Sequence, residues 1–136
     1  MPMQLNVPVD IADVVQLALR GNGVRACAEP LPRDLGERLP LTLVQQMGAG
    51  SRADVVVDRF AVRLYTYAEG EAEAIAEASR AVATLCALEG RQVGGTVLYR
   101  VTPTAQPFPA DDPNRPDLAR ACSTAYVWAR ATTIDI

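Results

Sequence analysis

Apolar residues recur at spacings of three and four in two stretches of the chain, and alternate with polar ones or cluster as β-branched and aromatic runs in five others. Ile75, Ala78, Val82, Leu85 and Leu88 form a helical stripe with Glu73, Glu77 and Arg80 pointing elsewhere, which predicts an amphipathic helix over 71–88 stopped by Gly90. Glu71 and Glu73 fall in its first turn, where the helix dipole favours each anion by about 0.3–1 kcal/mol. Before it, residues 54–67 are dominated by β-branched and aromatic side chains, which fit a pleated, half-buried strand. Val55 and Val57 share one face of that strand, whereas Phe60, Val62 and Leu64 share the other, so a bulge or kink is expected at Asp58-Arg59. The rest of the chain is organised around this β-α unit.

Asp10 precedes Ile11, Val14, Val15, Ala18 and Leu19 and can cap a short amphipathic helix that ends at Gly21-Asn22-Gly23. Further strands are expected at 24–28, 41–47, 96–102, where Val97, Tyr99 and Val101 share a face, and 121–134, which carries Tyr126, Val127 and Trp128. Trp128 has two readings, a core residue or an interface anchor. The order is α-β-β-β-α-β-β. It predicts one α+β domain over 1–136, a mainly antiparallel or mixed β-sheet covered by two helices. Phe60, Val62, Leu64, Ile75, Val82, Leu85 and Val97 are the expected core, being the apolar faces that must pack together.

Three connections stand out. Pro30 and Pro32 impose an extended path on 29–36, which carries Arg33 and Asp34. Residues 48–52, including Arg52, read as a hairpin-like loop. Gly48, Gly50 and Ala53 match the spacing of a dinucleotide-binding turn, but valines follow where the motif needs a helix N-terminus, and the chain has no lysine to complete a phosphate loop. Residues 103–117 hold five prolines with Phe108, Asp111, Asp112 and Arg115 among them. That composition predicts a long loop, mobile together with 29–39 in an isolated subunit and ordered against a neighbour. Arg33, Asp34, Arg52, Phe108, Asp111, Asp112 and Arg115 are therefore the candidate contact residues.

Composition then removes most chemistry. All thirteen basic residues are arginines and histidine is absent, which excludes Ser-His-Asp and Cys-His nucleophiles, histidine metal ligands and lysine Schiff bases. Glu71 and Glu73 lack the apolar surroundings that tune a carboxylate pair. Cys27, Cys86 and Cys122 are odd in number and far apart, so they read as small packing residues in a reducing compartment and not as a disulfide or zinc framework. The net charge of −3 and pI near 4.9 lack the basic footprint of a nucleic-acid binder. No signal peptide opens the chain and no apolar run is long enough to span a membrane, so a soluble, non-enzymatic protein without metal or cofactor is expected.

The short first helix, the Leu31-Pro32-Arg33-Asp34-Leu35 and Leu39-Pro40-Leu41-Thr42-Leu43-Val44 segments, the Gly48-Ala49-Gly50 turn and the strand 60–67 form one pattern with the alanine-rich helix and the proline-rich loop before Tyr126-Val127-Trp128. Over nearly its whole length this resembles the tail terminator, or tail-completion, proteins of long-tailed bacteriophages. The resemblance implies a structural virion protein whose subunits form a ring, usually a hexamer, on the head-proximal end of the tail tube. Such a ring stops tube polymerisation and offers a surface to head-completion or connector proteins. DNA passes through it without specific recognition. The implied location is the tail–neck junction of the virion, after assembly in the host cytoplasm, and no catalytic residue carries over. Ring closure requires two different, complementary surfaces per subunit. The alternatives are a small non-enzymatic α+β binding or regulatory module and another neck component such as a head-closure protein.

Overall fold

The computed structural model describes residues 3–136. Strand β1 (Gln4–Val7) leads into helix α1 (Ile11–Arg20), strand β2 (Ala26–Ala28), a single 3-10 turn at Leu35–Glu37, and strands β3 (Leu41–Asp54) and β4 (Val57–Ala68). Helix α2 (Glu71–Ala87) follows, then strands β5 (Arg91–Val93), β6 (Thr96–Pro109), β7 (Ala119–Arg130) and β8 (Thr132–Asp135). Six strands form one mixed sheet in the order β2-β3-β4-β7-β6-β5, with β2 parallel to β3 and the other neighbours antiparallel. β1 and β8 pair as a separate antiparallel ribbon. Both helices pack on one face of the large sheet, where Ile11, Val15 and Leu19 of α1 and Ala81 and Leu85 of α2 meet Val44, Phe60, Val62, Leu64, Leu98 and Val127. This is a single α+β domain. The seven expected elements are present, the short strands β1 and β5 are additional, and β8 is the end of the expected final strand.

Asp10 caps α1 as its sequence predicts, its carboxylate accepting from the Asp13 backbone N–H at 3.2 Å. The expected irregularity in β4 is absent. β4 pairs with β7 residue for residue from Val57↔Arg130 to Ala68↔Ala119, and Asp58, Phe60, Val62, Leu64, Thr66 and Ala68 all point to the buried side. The apparent change of face arises because Val55 and Val56 form the turn into the strand, with Val55 76% exposed. The register shifts lie instead on β3, between Met47 and Ser51 and between Arg52 and Asp54. The expected loop 48–52 is therefore irregular strand.

Those shifts explain the glycines. Gly48 has φ +65°, a conformation natural to a β-bulge glycine, and a Cβ on Gly50 would lie 2.8 Å from the Phe60 ring. Gly50 thus lets a buried aromatic pack directly against the β3 backbone. Gly50→Ala is expected to cost about 1–3 kcal/mol by overpacking. An unchanged urea midpoint would refute that cause.

Phe60, Val62, Leu64 and Leu85 are buried as expected, but Ile75, Val82 and Val97 are only partly so. α2 approaches the sheet through Ala74, Ala78, Ala81 and Leu85, all no more than 1% exposed, because small side chains let the helix backbone come close. The larger residues then sit on the flanks of the contact. Val82→Ala is accordingly expected to cost about 1 kcal/mol or less, below the 1–3 kcal/mol of a fully buried valine, as thermal denaturation can check. On β6 a register irregularity between Leu98 and Arg100 turns Leu98 and Val101 inward, so Val97 and Val101 do not share a face.

Two further boundaries differ. Pro103, Pro107 and Pro109 belong to β6 and not to a loop. β5 covers only Thr96–Leu98, so the rest of β6 is a sheet edge, and its register shifts fall around Pro103 and Pro107; at edges and bulges proline removes no hydrogen bond the ladder needs. The expected final strand 121–134 is divided at Ala131, whose N–H turns aside to donate to the Val56 carbonyl at 2.7 Å.

Candidate functional site

The helices leave the other face of the sheet to two different fates. At the end where β3 begins and β4 finishes, segments 29–39 and 110–118 fold over it. Leu35, Leu41, Leu43 and Tyr67 are buried there, with Leu31, Leu39, Tyr65 and Leu118 packed against them. A polar clamp fastens this cover. Tyr67 donates its hydroxyl hydrogen to Asp112 Oδ2 at 2.7 Å, and the Asn114 backbone N–H donates to Asp112 Oδ1 at 2.9 Å. Arg120 lies 3.8 Å from the Tyr65 ring centroid, donates to the Ala110 carbonyl at 2.6 Å and approaches Asp112 at 3.7 Å.

The hydrogen bond from Tyr67 holds the Asp112 carboxyl below the usual carboxylate range, while burial, followed by the Asp112 bond, pushes the Tyr67 phenol up. The clamp thereby fastens residues 110–118 to their own subunit. Composition identified the prolines and charges but not the buried tyrosine that receives Asp112.

The opposite end of this face is open. Side chains alternate along a strand, so Arg59 and Arg63 of β4 emerge on it beside Tyr126 and Trp128 of β7 and Arg100 of β6. The Arg59 guanidinium stands 4.9 Å from the centroid of Tyr126, Arg63 stands 4.6 Å from Tyr65, and Arg100 stands 4.9 Å from Trp128. Tyr126 and Trp128 themselves meet edge to face at 6.1 Å. Such contacts draw a guanidinium over the face of a ring by cation–π attraction. Arg63 directs two of its N–H groups to Gln45 Oε1, at 3.1 and 2.9 Å, and Arg130 donates to the Tyr99 hydroxyl at 3.2 Å. Among the described residues, none of Arg59, Arg63, Arg100 and Arg130 has a carboxylate within ion-pairing distance. Trp128 belongs to this open face and not to the helix-covered core.

The contact residues read from the sequence are dispersed. Arg33 and Asp34 are exposed, and Asp34 bonds to Arg38 at 2.9 Å, which lowers its pKa. Arg52 pairs with buried Asp58 at 2.5 Å and donates to the Val55 and Asn6 carbonyls, fastening the β3–β4 turn to β1. Phe108 is 45% exposed and paired in register with Cys122, Asp111 is exposed, and Arg115 is held by Asp117 at 2.9 Å. Asp112 is buried in the clamp. The 29–39 and 110–118 segments lie together, with the Arg115 guanidinium 3.9 Å from where a Gly36 Cβ would be, whereas Arg52 lies at the far end of β3. Trp128 reads from the sequence as a candidate interface anchor, but nothing in that reading joins it with Arg59, Arg63 and Arg100 into one cluster. The cluster's signal was the spacing of Arg59 with Arg63, four apart, and of Tyr126 with Trp128, two apart, even spacings that mark one sheet face.

Two grooves accompany these surfaces. One of about 800 Å³ is lined by Arg20, Arg25, Cys27, Pro30 and Arg38, and one of about 520 Å³ by Gln46, Gly50, Arg52, Asp58 and Phe60. Burial pushes the thiols of Cys27, Cys86 and Cys122 up, which suits packing groups better than nucleophiles. Among the described residues no three Cys, Asp or Glu side chains are grouped to hold a metal ion. No family model matches the chain, and no curated protein matches it in sequence.

Proposed function

We propose that this chain is a structural subunit that forms a ring, a hexamer, on the head-proximal end of a phage tail tube, ending tube growth and presenting the surface for head joining. The reading rests on the pattern of segments that resembles tail terminator proteins. The observation that carries it further is the open face of Arg59, Arg63, Arg100, Tyr126 and Trp128. Arginine and large aromatics are the side chains enriched where protein surfaces meet, and here they are preassembled on rigid strands. The tail tube protein and a head-completion or connector protein are the proposed partners, with the virion neck as the location. Ring capping needs complementary surfaces and no turnover of a substrate.

Deletion of the gene tests this in lysates by electron microscopy. Irregular, overlong tubes that fail to join heads are expected, because initiation is intact and termination is lost. Tails of normal, uniform length that still attach to heads would overturn the reading.

A further inference from the structure

The chain is acidic overall, yet its open sheet face exposes arginines with no carboxylate partner. The negative excess therefore lies elsewhere. Part of it is concentrated at the start of α2, where Glu69, Glu71 and Glu73 are exposed and, among the described residues, form no ion pair. These two surfaces cannot meet within one subunit. Glu69 follows Ala68, which pairs with Ala119, whereas Arg59 pairs with Trp128, nine residues away along the same strand. At roughly 3.3 Å per residue that separation is about 30 Å, and α2 lies on the opposite face of the sheet.

Building on the ring reading, we propose that the open face of one subunit docks the acidic end of α2 in a second copy of this chain, Arg59 and Arg100 receiving carboxylates of Glu69, Glu71 and Glu73. A guanidinium held over an aromatic ring is already localised, so a carboxylate contact there needs less further ordering than one to a free arginine. The two surfaces occupy opposite faces and opposite ends of the subunit. Their contact is thus heterologous and propagates head to tail until it closes. A single-stranded nucleic acid is the competing occupant of an arginine–aromatic sheet. It fits less well, because bases bind such faces by stacking and Arg59 and Arg100 already lie over the rings of Tyr126 and Trp128.

The test uses the whole chain in sedimentation velocity at low and high salt, with Trp128 emission as a reporter inside the proposed contact. The chain has one tryptophan, so that emission reads this face alone. Wild type is expected to self-associate, with a shift in emission, and to dissociate as salt rises. Arg59→Glu with Arg100→Glu, and separately Glu71→Arg with Glu73→Arg, are each expected to weaken association at least tenfold with unchanged circular dichroism. An equimolar mixture of the two variants is expected to reassemble, because each then carries the complement of the other. The proposal is overturned if both variants assemble as wild type does, if the mixture stays dissociated, or if wild type is monomeric throughout. It is also overturned if a labelled single-stranded oligonucleotide binds wild type and loses binding in the arginine variant while self-association is unaffected. Assembly undisturbed by either variant, together with overlong tubes in the deletion mutant, would reject this contact and leave the capping reading standing. Restored assembly in the mixture, together with normal tails in the deletion mutant, would do the reverse.

Discussion

Asp112→Ala is expected to destabilise the domain by about 3 kcal/mol and to expose residues 110–118 to protease. The substitution removes the acceptor of the Tyr67 hydroxyl and of the Asn114 N–H, and takes the carboxylate from beside the largely buried Arg120 guanidinium. Hydrogen bonds to a charged group are worth about 1.5–3 kcal/mol, and an orphaned buried partner adds a desolvation penalty. Asp112→Asn, which keeps the shape and an acceptor, is expected to cost less. Because Asp112 is held below its ordinary pKa in the folded protein, its stabilisation is complete above the unfolded carboxylate pKa, near 4, and fades as pH falls through the lower folded value. Chemical denaturation of wild type and Asp112→Asn between roughly pH 6 and pH 2 checks the sign, since the gap between them must narrow toward acid. A gap that widens, or proteolysis of the 110–118 segment at the wild-type rate in Asp112→Ala, would reject the clamp.

Leu64→Ala is expected to cost about 2–5 kcal/mol, several times more than Val82→Ala. Leu64 is 1% exposed on β4, which lies between β3 and β7, and its side chain shares the cluster that both helices close. Strands on either side fix the backbone, so the space left by the removed atoms cannot collapse readily. Val82 sits at the flank of a helix whose contact is made by alanines, and solvent already reaches it. Urea denaturation of the two variants decides the matter. Equal losses, or a larger one for Val82→Ala, would mean that α2 does not pack through Ala74, Ala78 and Ala81.

The α+β class, the two helices, the capping by Asp10 and the buried run Phe60, Val62 and Leu64 were legible because they depend on local chemistry and on periods of 3.6 and 2 within single segments. Where a period had to be extended across a boundary it misled. Val55 reads as part of β4 by its pattern, and only the pairing of Val57 with Arg130 shows that the strand starts after the turn. Which stripe of α2 faces inward depended on how closely the helix approaches the sheet, and hydrophobicity alone favours Ile75 and Val82 over the alanines that make the contact. The prolines of 103–109 looked like loop residues because their tolerance in β6 depends on β5 stopping short, a fact about a neighbouring strand.

The surfaces divide in the same way. The sequence by itself determined the inventory: thirteen arginines without lysine or histidine, an acidic balance, and aromatic residues at 65, 67, 126 and 128. It could not determine which charges remain available, because that depends on which sheet face each charged side chain shares and on what packs over that face. Tertiary structure buried Asp112 against Tyr67 and Arg120, tied Arg52 to Asp58, and left Arg59 and Arg100 on aromatic rings facing solvent. The physical reason is that a strand's period of two fixes which side chains share a face, while the choice of face to be covered is made by the helices and loops that pack on the sheet.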